Sequence, residues 1–327
     1  MSLAALAVVS FLVSLIATKV LLSRFARLAL DQPNARSLHE QPVPRTGGIA
    51  LICGAAVATG FGALQLWLPM ALALGLAGVS FADDVSKGLP TVVRLACHLA
   101  AAGALCWYVL SPMHGVELAL LILAVVWITN LYNFMDGADG VAGGMALIGF
   151  GAYGVAAVLA GHVALAALCV AVAAAAAAFL LHNFHPARIF LGDVGSIPLG
   201  FLAGGLGVVG WRDDLWPLWF PVLVFAPFIA DATVTLLRRL IRGERVWHAH
   251  REHYYQRIVR MGFGHRGSAC AGYAAMLMCA GAALFGRTEA PAVQASVFVA
   301  ASVALGAAAA WVDLRWARHN RQAEPAA

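Results

Sequence analysis

Charged side chains are scarce in this 327-residue sequence: Asp, Glu, Lys and Arg make up 11% of it, against roughly 25% in soluble domains. Hydrophobic residues reach 62% and form long runs without charge. The composition therefore excludes the pair of soluble domains that this length would ordinarily suggest. It also excludes a disordered chain, which would be poor in apolar residues. The unbroken apolar runs exclude an outer-membrane β-barrel, whose strands alternate apolar and polar residues.

Closely spaced cysteine pairs are also missing. The six cysteines form no Cys-x-x-Cys spacing, and each lies within or beside an apolar run. We interpret them as small core or lipid-facing residues and expect neither disulfides nor a cysteine metal site. The net charge of +5 could indicate nucleic-acid binding. The excess of basic residues in cytoplasmic loops of membrane proteins explains it without a nucleic-acid partner.

The apolar runs predict an all-α, polytopic helical integral membrane protein with about 11 transmembrane helices. The predicted spans are residues 2–22, 47–67, 69–83, 93–110, 118–134, 141–160, 163–182, 196–210, 215–238, 268–285 and 292–314. We expect the N-terminus outside and the C-terminus in the cytoplasm, because basic residues follow the first span and none precedes it. This orientation places 19 of the 21 Lys and Arg side chains on the cytoplasmic side. We expect residues 1–327 to form a single membrane-embedded domain, with a short basic cytoplasmic tail at 315–327.

Acidic residues gather at the cytoplasmic ends of three predicted spans. They are Asp83 with Asp84, Asp136 with Asp139, and Asp193. Each group alone could be a helix cap or a solvated loop. Acids at a membrane are costly, so three groups on one face favour a functional site. Adjacent carboxylates repel each other unless a cation neutralises them, and Mg²⁺ prefers such oxygen ligands together with phosphates.

Further polar residues accompany two of these acidic groups. If the helix continues to Asp136, then Asn130, Asn133 and Asp136 share one helix face. Ser196 can cap the helix that follows Asp193, and that helix N-terminus would attract phosphate. Phe190 could stack on a base or pack in the core.

Two basic loops are predicted on the same face. The loop from Arg238 to Arg266 holds eight arginines and four histidines. Its first arginines are typical of contacts with anionic lipid, whereas His250, Arg251 and His253 could bind a diphosphate or supply a proton near neutral pH. In the first cytoplasmic loop, structural and substrate-contact roles are both open for Arg36, His39, Arg45 and Thr46.

Together and in this order, these strings resemble the polyprenyl-phosphate N-acetylhexosamine-1-phosphate transferases, glycosyltransferase family 4. This family includes the enzymes that begin O-antigen and common-antigen synthesis and the related phospho-N-acetylmuramoyl-pentapeptide transferase. The resemblance covers essentially the whole chain. It is carried by Pro-Arg-Thr-Gly-Gly at 44–48, Asp-Asp at 83–84, Asn-x-x-Asn-x-x-Asp-Gly-x-Asp-Gly at 130–140, Pro-Ala-Arg-Ile-Phe-Leu-Gly-Asp-x-Gly-Ser at 186–196 and the final His/Arg loop.

The resemblance implies transfer of an N-acetylhexosamine 1-phosphate, such as GlcNAc-1-phosphate, from a UDP-sugar to undecaprenyl phosphate with release of UMP. This reaction would initiate O-antigen-like cell-surface polysaccharide synthesis. The implied cofactor is Mg²⁺, with Mn²⁺ as a substitute. The implied partners are a UDP-N-acetylhexosamine, undecaprenyl phosphate and membrane lipid; a homodimer is left open. The implied location is the bacterial inner membrane, with the active site facing the cytoplasm.

The resemblance and the patterns above select the candidate site residues. The expected catalytic residues are Asp83, Asp84, Asp136, Asp139 and His253, and the expected metal ligands are Asp193 and Asp84. The expected substrate-binding residues are Arg45, Thr46, Asn130, Asn133, Asn183, Arg188, Phe190, His250 and Arg251. Among these, Asn183 and Phe190 match family positions near the uracil.

One string departs from the family pattern. Several relatives carry His-x-His-His where this chain has His253-Tyr-Tyr-Gln256, so the role of the later histidines does not transfer. The pattern is closer to the O-antigen-initiating branch than to the muramoyl-pentapeptide branch. This favours UDP-GlcNAc or a deoxygenated relative as the donor.

Direct attack of the lipid phosphate on the β-phosphorus of the donor is our mechanistic hypothesis, with Asp83 as base or orienter. The competing route passes through an aspartyl-phosphate. Rival functions are the phospho-N-acetylmuramoyl-pentapeptide transferase and a secondary transporter, which would keep its acids near the midplane. A CDP-alcohol phosphotransferase lacks support because its Asp-Gly-x-x-Ala-Arg signature is absent, and a non-catalytic scaffold is a further alternative. Asp231 could shape the site or pack with Arg238.

Overall fold

The computed structural model describes residues 1–33, 37–39, 41–85, 88–246, 248 and 250–323. Arg36 and the last four residues of the expected tail, 324–327, lie outside this part of the chain. The remainder of that tail continues the last helix as far as Ala323.

Helices account for nearly all of the regular structure. They are α1 (Leu3–Arg24), α2 (Gly47–Phe61), α3 (Trp67–Val85), α4 (Thr91–Leu110), α5 (Val116–Phe134), α6 (Val141–Leu159), α7 (Val163–Asn183), α8 (Asp193–Arg212), α9 (Trp219–Val224), α10 (Ala226–Ile241), α11 (Tyr254–Ile258), α12 (Gly264–Gly286) and α13 (Pro291–Ala323). A 3₁₀ turn at Leu64–Leu66 leads into α3, and a π-helical turn at Val259–Phe263 joins α11 to α12. The predicted helical architecture is confirmed.

Short strands form one small exception within the first loop. Strand β1 (Leu30–Asp31) pairs with β2 (Val43–Pro44) in antiparallel register, with Leu30 opposite Pro44. The pair closes the loop at its base and so determines where the residues after Pro44 enter the site.

Within the described residues, nine helices are long and apolar enough to cross a membrane, and the chain is a polytopic membrane protein. The remaining two predicted spans, 47–67 and 215–238, do not form single helices of that length. Helix α2 has 15 residues, shorter than the about 20 of a typical spanning helix, and the 3₁₀ turn at Leu64–Leu66 follows it closely. The run predicted at 215–238 is divided into α9 and α10 around Phe225, with prolines on both sides of the break at Pro221 and Pro227. Proline lacks the backbone N–H that a continuous helix needs.

Helices α6, α7 and α8 form the buried centre of the bundle. Small residues allow the close packing there, as the Gly200-x-x-x-Gly204 pair of α8 shows. A Cβ atom on Gly200 would lie 2.7 Å from the carbonyl oxygen of Ile128, and one on Gly204 would lie 2.6 Å from Cγ2 of Ile128. The glycines therefore bring α8 against α5, the helix that carries Asn130 and Asn133.

The first loop is held against the segment that precedes α8. The N–H of Gly47 donates to the carbonyl of Phe190 (2.9 Å), and the N–H of Gly48 donates to that of Leu191 (2.8 Å). A side chain on Gly48 would collide with the backbone of Gly195. Two glycine-containing strings that lie far apart in the sequence, at 44–48 and 186–196, thus form adjacent walls of one site.

Candidate active site

Four carboxylates converge at one end of the bundle, and we call Asp83, Asp84, Asp136 and Asp193 the acid centre. Asp83 and Asp84 lie in the last turn of α3, Asp136 follows α5, and Asp193 begins α8. The charge of Asp193 acts on both Asp84 and Asp136. The structure therefore brings together three groups that are far apart in sequence, as expected.

Arg94 links two members of the acid centre, although it was not among the expected site residues. Its Nη1 lies 3.0 Å from Oδ2 of Asp83 and 3.5 Å from Oδ2 of Asp193. A second arginine joins the centre: Nη2 of Arg45 lies 3.3 Å from Oδ1 of Asp84. The only sequence signal for Arg94 was a basic residue in the first turns of a span, which the inside-positive rule explains without a site.

Burial and crowding make the acid centre electrostatically unfavourable without a cation. Burial, reinforced by the charge of Asp193, raises the pKa of Asp136 to about 8, although a hydrogen bond from the Gly192 backbone opposes the shift. Clustered carboxylates are stabilised by a divalent cation that neutralises them.

The carboxylates of the acid centre are oxygen donors of the type that Mg²⁺ prefers. Among the described residues, the group of three whose ligand atoms lie within 4.8 Å of one another is Asp139, His185 and His265 instead. The Asp84 carboxylate is only 4% exposed, and its Oδ2 has no hydrogen-bond partner among the described residues. The Asp193 side chain is 29% exposed and is oriented by Asn133, whose Nδ2 donates to its Oδ1 (2.7 Å). Carboxylate oxygens from different elements, with sites remaining for water and phosphate, are what Mg²⁺ requires.

For these strings, the condition that the helix continues to Asp136 is not met, and the expected cap at Ser196 was wrong. Helix α5 ends at Phe134, so Asn130 and Asn133 share its face while Asp136 enters through the following turn. The residue before α8 is Gly192, and Ser196 lies within the helix, where its hydroxyl donates to the Gly192 carbonyl (3.1 Å) instead of capping the helix.

Asp139 lies in a separate cluster. Nδ1 of His185 lies 2.7 Å from its Oδ2, and Nδ1 of His265 lies 3.3 Å from its Oδ1. Burial alone would raise the pKa of Asp139, but its contacts with His265 and His185 outweigh burial and lower the pKa. Nε2 of His265 lies 3.2 Å from the Leu38 carbonyl oxygen, so this cluster joins the first loop to α12.

The other expected residues of this region take different positions. Asn183 bonds to the backbone through both ends of its amide, accepting from Gly140 N–H (3.1 Å) and donating to the Ile189 carbonyl (2.9 Å). The ring of Phe190 meets His39 edge-on at 5.0 Å. Thr46 is buried, and Arg188 is exposed beside an apolar groove at the end of α7.

The final His/Arg loop is anchored by Asp231. Its Oδ1 lies 3.1 Å from Nδ1 of His253 and accepts the N–H of Tyr254 (2.9 Å), and its Oδ2 accepts the N–H of Tyr255 (3.1 Å). Asp231 therefore holds the start of α11, which the sequence left open. It does not pair with Arg238, whose two terminal nitrogens bind Asp313 at 2.8 Å each.

The departure at Gln256 has a structural reason. Oε1 of Gln256 accepts the backbone N–H of His253 (3.3 Å), and the two residues form a capping box at the start of α11. The Tyr255 hydroxyl donates to the Phe134 carbonyl (3.2 Å), so α11 lies beside the turn that carries Asp136. Tyr255 is a second residue that sequence reasoning missed.

The remaining loop residues differ in charge state and contacts. Burial, with the charges of His253 and Arg239, lowers the pKa of His250 to about 4, so the ring is neutral at physiological pH. Its ring lies 4.9 Å from that of His253. The Arg251 carbonyl accepts a hydrogen bond from Nη1 of Arg260 (3.1 Å). His250 can therefore contact a phosphate as a neutral hydrogen-bond donor, not as the cation that the sequence suggested.

Fold and site together define a polytopic membrane enzyme built around clustered carboxylates. Residues 66–211 match the family described as glycosyl transferase family 4. The chain is 27% identical over 282 residues to a probable undecaprenyl-phosphate N-acetylglucosaminyl 1-phosphate transferase of Bacillus subtilis, covering 79% of each chain. It is 31% identical over 301 residues to a decaprenyl-phosphate N-acetylglucosaminephosphotransferase of Mycolicibacterium smegmatis, covering 76% of this chain and 72% of the relative.

A phospho-N-acetylmuramoyl-pentapeptide-transferase of Symbiobacterium thermophilum is also similar, with 31% identity over 250 residues that cover 65% of this chain and 73% of the relative. The chain belongs to glycosyl transferase family 4, the family of polyprenyl-phosphate N-acetylhexosamine-1-phosphate transferases. The resemblance drawn from the sequence is confirmed, and membership argues against the transporter, scaffold and CDP-alcohol alternatives.

Proposed function

We propose that this chain transfers GlcNAc-1-phosphate from UDP-GlcNAc to a polyprenyl phosphate such as undecaprenyl phosphate, and that it releases UMP. The reaction would begin O-antigen-like cell-surface polysaccharide synthesis. The observation that carries the proposal is the acid centre, where buried Asp84 pairs with Arg45 and partly exposed Asp193 lies near Arg94. Such a site suits two phosphate-bearing substrates and a divalent cation.

Mg²⁺, when bound by Asp193 and Asp84, would neutralise charge on the reacting phosphates. Arg94 and Arg45 would contribute further positive charge, and Asn133 orients Asp193. An oxygen of the lipid phosphate attacks the β-phosphorus, and the bond from that phosphorus to the bridging oxygen breaks as UMP leaves.

The contacts of Asp83 favour an orienting role over a basic one. Its Oδ1 accepts the backbone N–H of Leu89, and its Oδ2 binds Arg94. Because both oxygens are engaged, Asp83 is suited to hold Arg94 between itself and Asp193. Direct attack needs no covalent enzyme intermediate, which distinguishes it from the aspartyl-phosphate route.

The proposed activity is tested by incubating the purified protein with undecaprenyl phosphate, Mg²⁺ and each of UDP-GlcNAc, UDP-GalNAc and UDP-muramoyl pentapeptide, and measuring UMP. We expect the highest rate with UDP-GlcNAc, loss of activity with EDTA, and recovery with Mg²⁺ or, to a smaller extent, Mn²⁺. UMP formation from the muramoyl peptide alone would support the other branch of the family instead. In a reaction without lipid phosphate, stoichiometric UMP release would contradict direct attack.

We also propose that the protein lies in the bacterial inner membrane with the N-terminus outside and the acid centre facing the cytoplasm. Support comes from the charge distribution: when α2 and the α9–α10 pair also cross the membrane, this orientation puts 19 of the 21 basic side chains inside. The finding that the Arg-rich loop contacts the turn beside Asp136 through Tyr255 agrees with a single cytoplasmic face.

Cysteine labelling tests this orientation. In a cysteine-free variant, we expect Thr288→Cys, between α12 and α13, to react with a membrane-impermeant maleimide in intact spheroplasts. The matched variant Arg245→Cys, in the loop after α10, should react only after the membrane is opened. The reverse labelling pattern would reject the proposed orientation. If both sites react in intact spheroplasts, labelling of a soluble cytoplasmic control protein would show that the membranes leak.

A further inference from the structure

The group formed by Asp139, His185 and His265 takes no part in the proposed reaction steps, and we call it the histidine cluster. Its members come from three segments: the turn after α5, the loop after α7 and the first turn of α12. Among the residues that the structure describes, it is the one group of three His, Cys, Asp or Glu side chains whose ligand atoms all lie within 4.8 Å of one another. Ligand atoms that converge from separate segments are what a metal site requires.

The distances within the histidine cluster suit a metal ion. Nδ1 of His185 lies 2.7 Å from Oδ2 of Asp139, and Nδ1 of His265 lies 3.3 Å from Oδ1. Two ligands that are each about 2.1 Å from one ion are separated by roughly 3.0–3.4 Å in octahedral or tetrahedral geometry. The two imidazole planes differ by only 6°, with centroids 5.4 Å apart, so both rings present Nδ1 to the same carboxylate.

The surroundings of His265 direct a lone pair toward that carboxylate. Nε2 of His265 lies 3.2 Å from the Leu38 carbonyl oxygen, which can only accept, so Nε2 carries the proton of the neutral ring. Nδ1 is then an acceptor: it receives the backbone N–H of Asp139 (3.2 Å) and also faces Oδ1 of Asp139. Two acceptors repel each other unless a proton or a cation joins them. A backbone carbonyl that binds the remote nitrogen is typical of metal-binding histidines.

The carboxylate is held in place, whereas His185 is open to solvent. Oδ2 of Asp139 accepts the backbone N–H of Ala187 (3.1 Å), and the Asp139 side chain is 8% exposed. The His185 side chain is 42% exposed and lines the apolar groove at the end of α7, so its ring can rotate to complete a coordination shell. Tyr273 lines the same groove and donates to the Gly140 carbonyl (2.8 Å), next to Asp139. The groove therefore gives an ion access to the cluster.

The ligand atoms of the histidine cluster differ in kind from those of the acid centre. Imidazole nitrogens suit Zn²⁺ and the neighbouring transition metals, whereas Mg²⁺ prefers oxygen ligands. Three protein ligands leave at least one coordination position for water. The two clusters would therefore select different cations.

We propose that the histidine cluster is a second metal site, which binds a divalent transition-metal ion such as Zn²⁺ through Nδ1 of His185, Nδ1 of His265 and the Asp139 carboxylate. The ion would tie the turn after α5 and the loop after α7 to the start of α12. Through the contact of His265 with Leu38, it would also stabilise the position of the first loop. The proposal does not depend on the transferase function.

Calorimetric titration of the metal-free protein in detergent with Zn²⁺ tests the site, with millimolar Mg²⁺ present to occupy the acid centre. We expect about one Zn²⁺ per chain, together with a rise in Tm as Zn²⁺ is added. His185→Gln and His265→Gln should each weaken Zn²⁺ binding by at least about tenfold. Glutamine can still donate a hydrogen bond to Asp139 but offers no imidazole nitrogen, so a hydrogen-bonded cluster without a metal would show no such loss.

His162→Gln is the matched control, because His162 precedes the other end of α7 and pairs with a carboxylate, Asp213, at 3.3 Å. It should leave Zn²⁺ binding unchanged, and so should Asp193→Asn in the acid centre. Absence of Zn²⁺ binding by the wild-type protein overturns the inference, as does unchanged binding by both cluster variants or an equal loss in either control. If His265→Gln does not accumulate, His185→Gln decides alone. UMP formation is not part of this test, so failure of the proposed function would leave its result unaffected.

Discussion

Replacing Asp193 with asparagine is expected to lower kcat for UMP formation by roughly a thousandfold. Asparagine has nearly the same shape and can still accept the hydrogen bond that Asn133 donates to Oδ1. The substitution replaces one carboxylate oxygen of Asp193 by an NH₂ group, which cannot ligate a cation. This group would face Arg94, whose Nη1 lies 3.5 Å from Oδ2 in the wild-type protein. The site would lose an anionic ligand without losing its packing. UMP release at saturating substrates measures the effect.

Asp213→Asn provides the matched control for Asp193→Asn. Asp213 directly follows the other end of α8, where it pairs with Arg212 and His162. Because it lies at the opposite end of the same helix, its substitution should leave kcat within about threefold of wild type, as ion pairs that are partly open to solvent contribute little. Retention of more than a tenth of wild-type kcat by Asp193→Asn would contradict the assignment of Asp193 as a metal ligand.

Replacing Asp231 with alanine is the second substitution with a large expected effect. Asp231 satisfies the His253 ring and the backbone N–H groups of Tyr254 and Tyr255, all in buried surroundings. Loss of these three interactions with Asp231 is expected to reduce the free energy of unfolding by about 3–5 kcal/mol. Displacement of α11 by even about 1 Å should lower kcat by about a hundredfold. Thermal unfolding in detergent and UMP release measure the two effects separately.

Two further variants separate anchoring of α11 from general damage to α10. Thr235→Val removes a hydroxyl that donates to Oδ1 of Asp231 (3.3 Å) and leaves the three bonds to α11 intact. It should cost no more than about 1 kcal/mol and leave kcat nearly unchanged. Asp231→Asn retains one acceptor oxygen and should fall between wild type and Asp231→Ala. Wild-type kcat in a folded Asp231→Ala protein would show that the anchored His253 is not needed for the reaction.

Much of this protein was predictable because its strongest signals are local in sequence. A low charge content and long apolar runs indicate a membrane bundle whatever the helices contact. The motif strings also identified the family and placed Asp83, Asp136 and Asp193 at one face before any packing was known. Errors occurred where the local signal was weak or misleading, as at Ser196 and at the run 215–238, which prolines divide into two helices.

The sequence by itself determined the class of the protein, its apolar helices and the acids that end them, since hydropathy and motif spacing are properties of neighbouring residues. Only the tertiary structure decided which of those residues act together. Arg94 joins Asp83 to Asp193, and Asp231 anchors His253, while Asp139 joins a separate histidine cluster. These contacts connect different helices, and their geometry depends on how small residues such as Gly48 and Gly200 let the segments approach. No pattern within one segment contains that information.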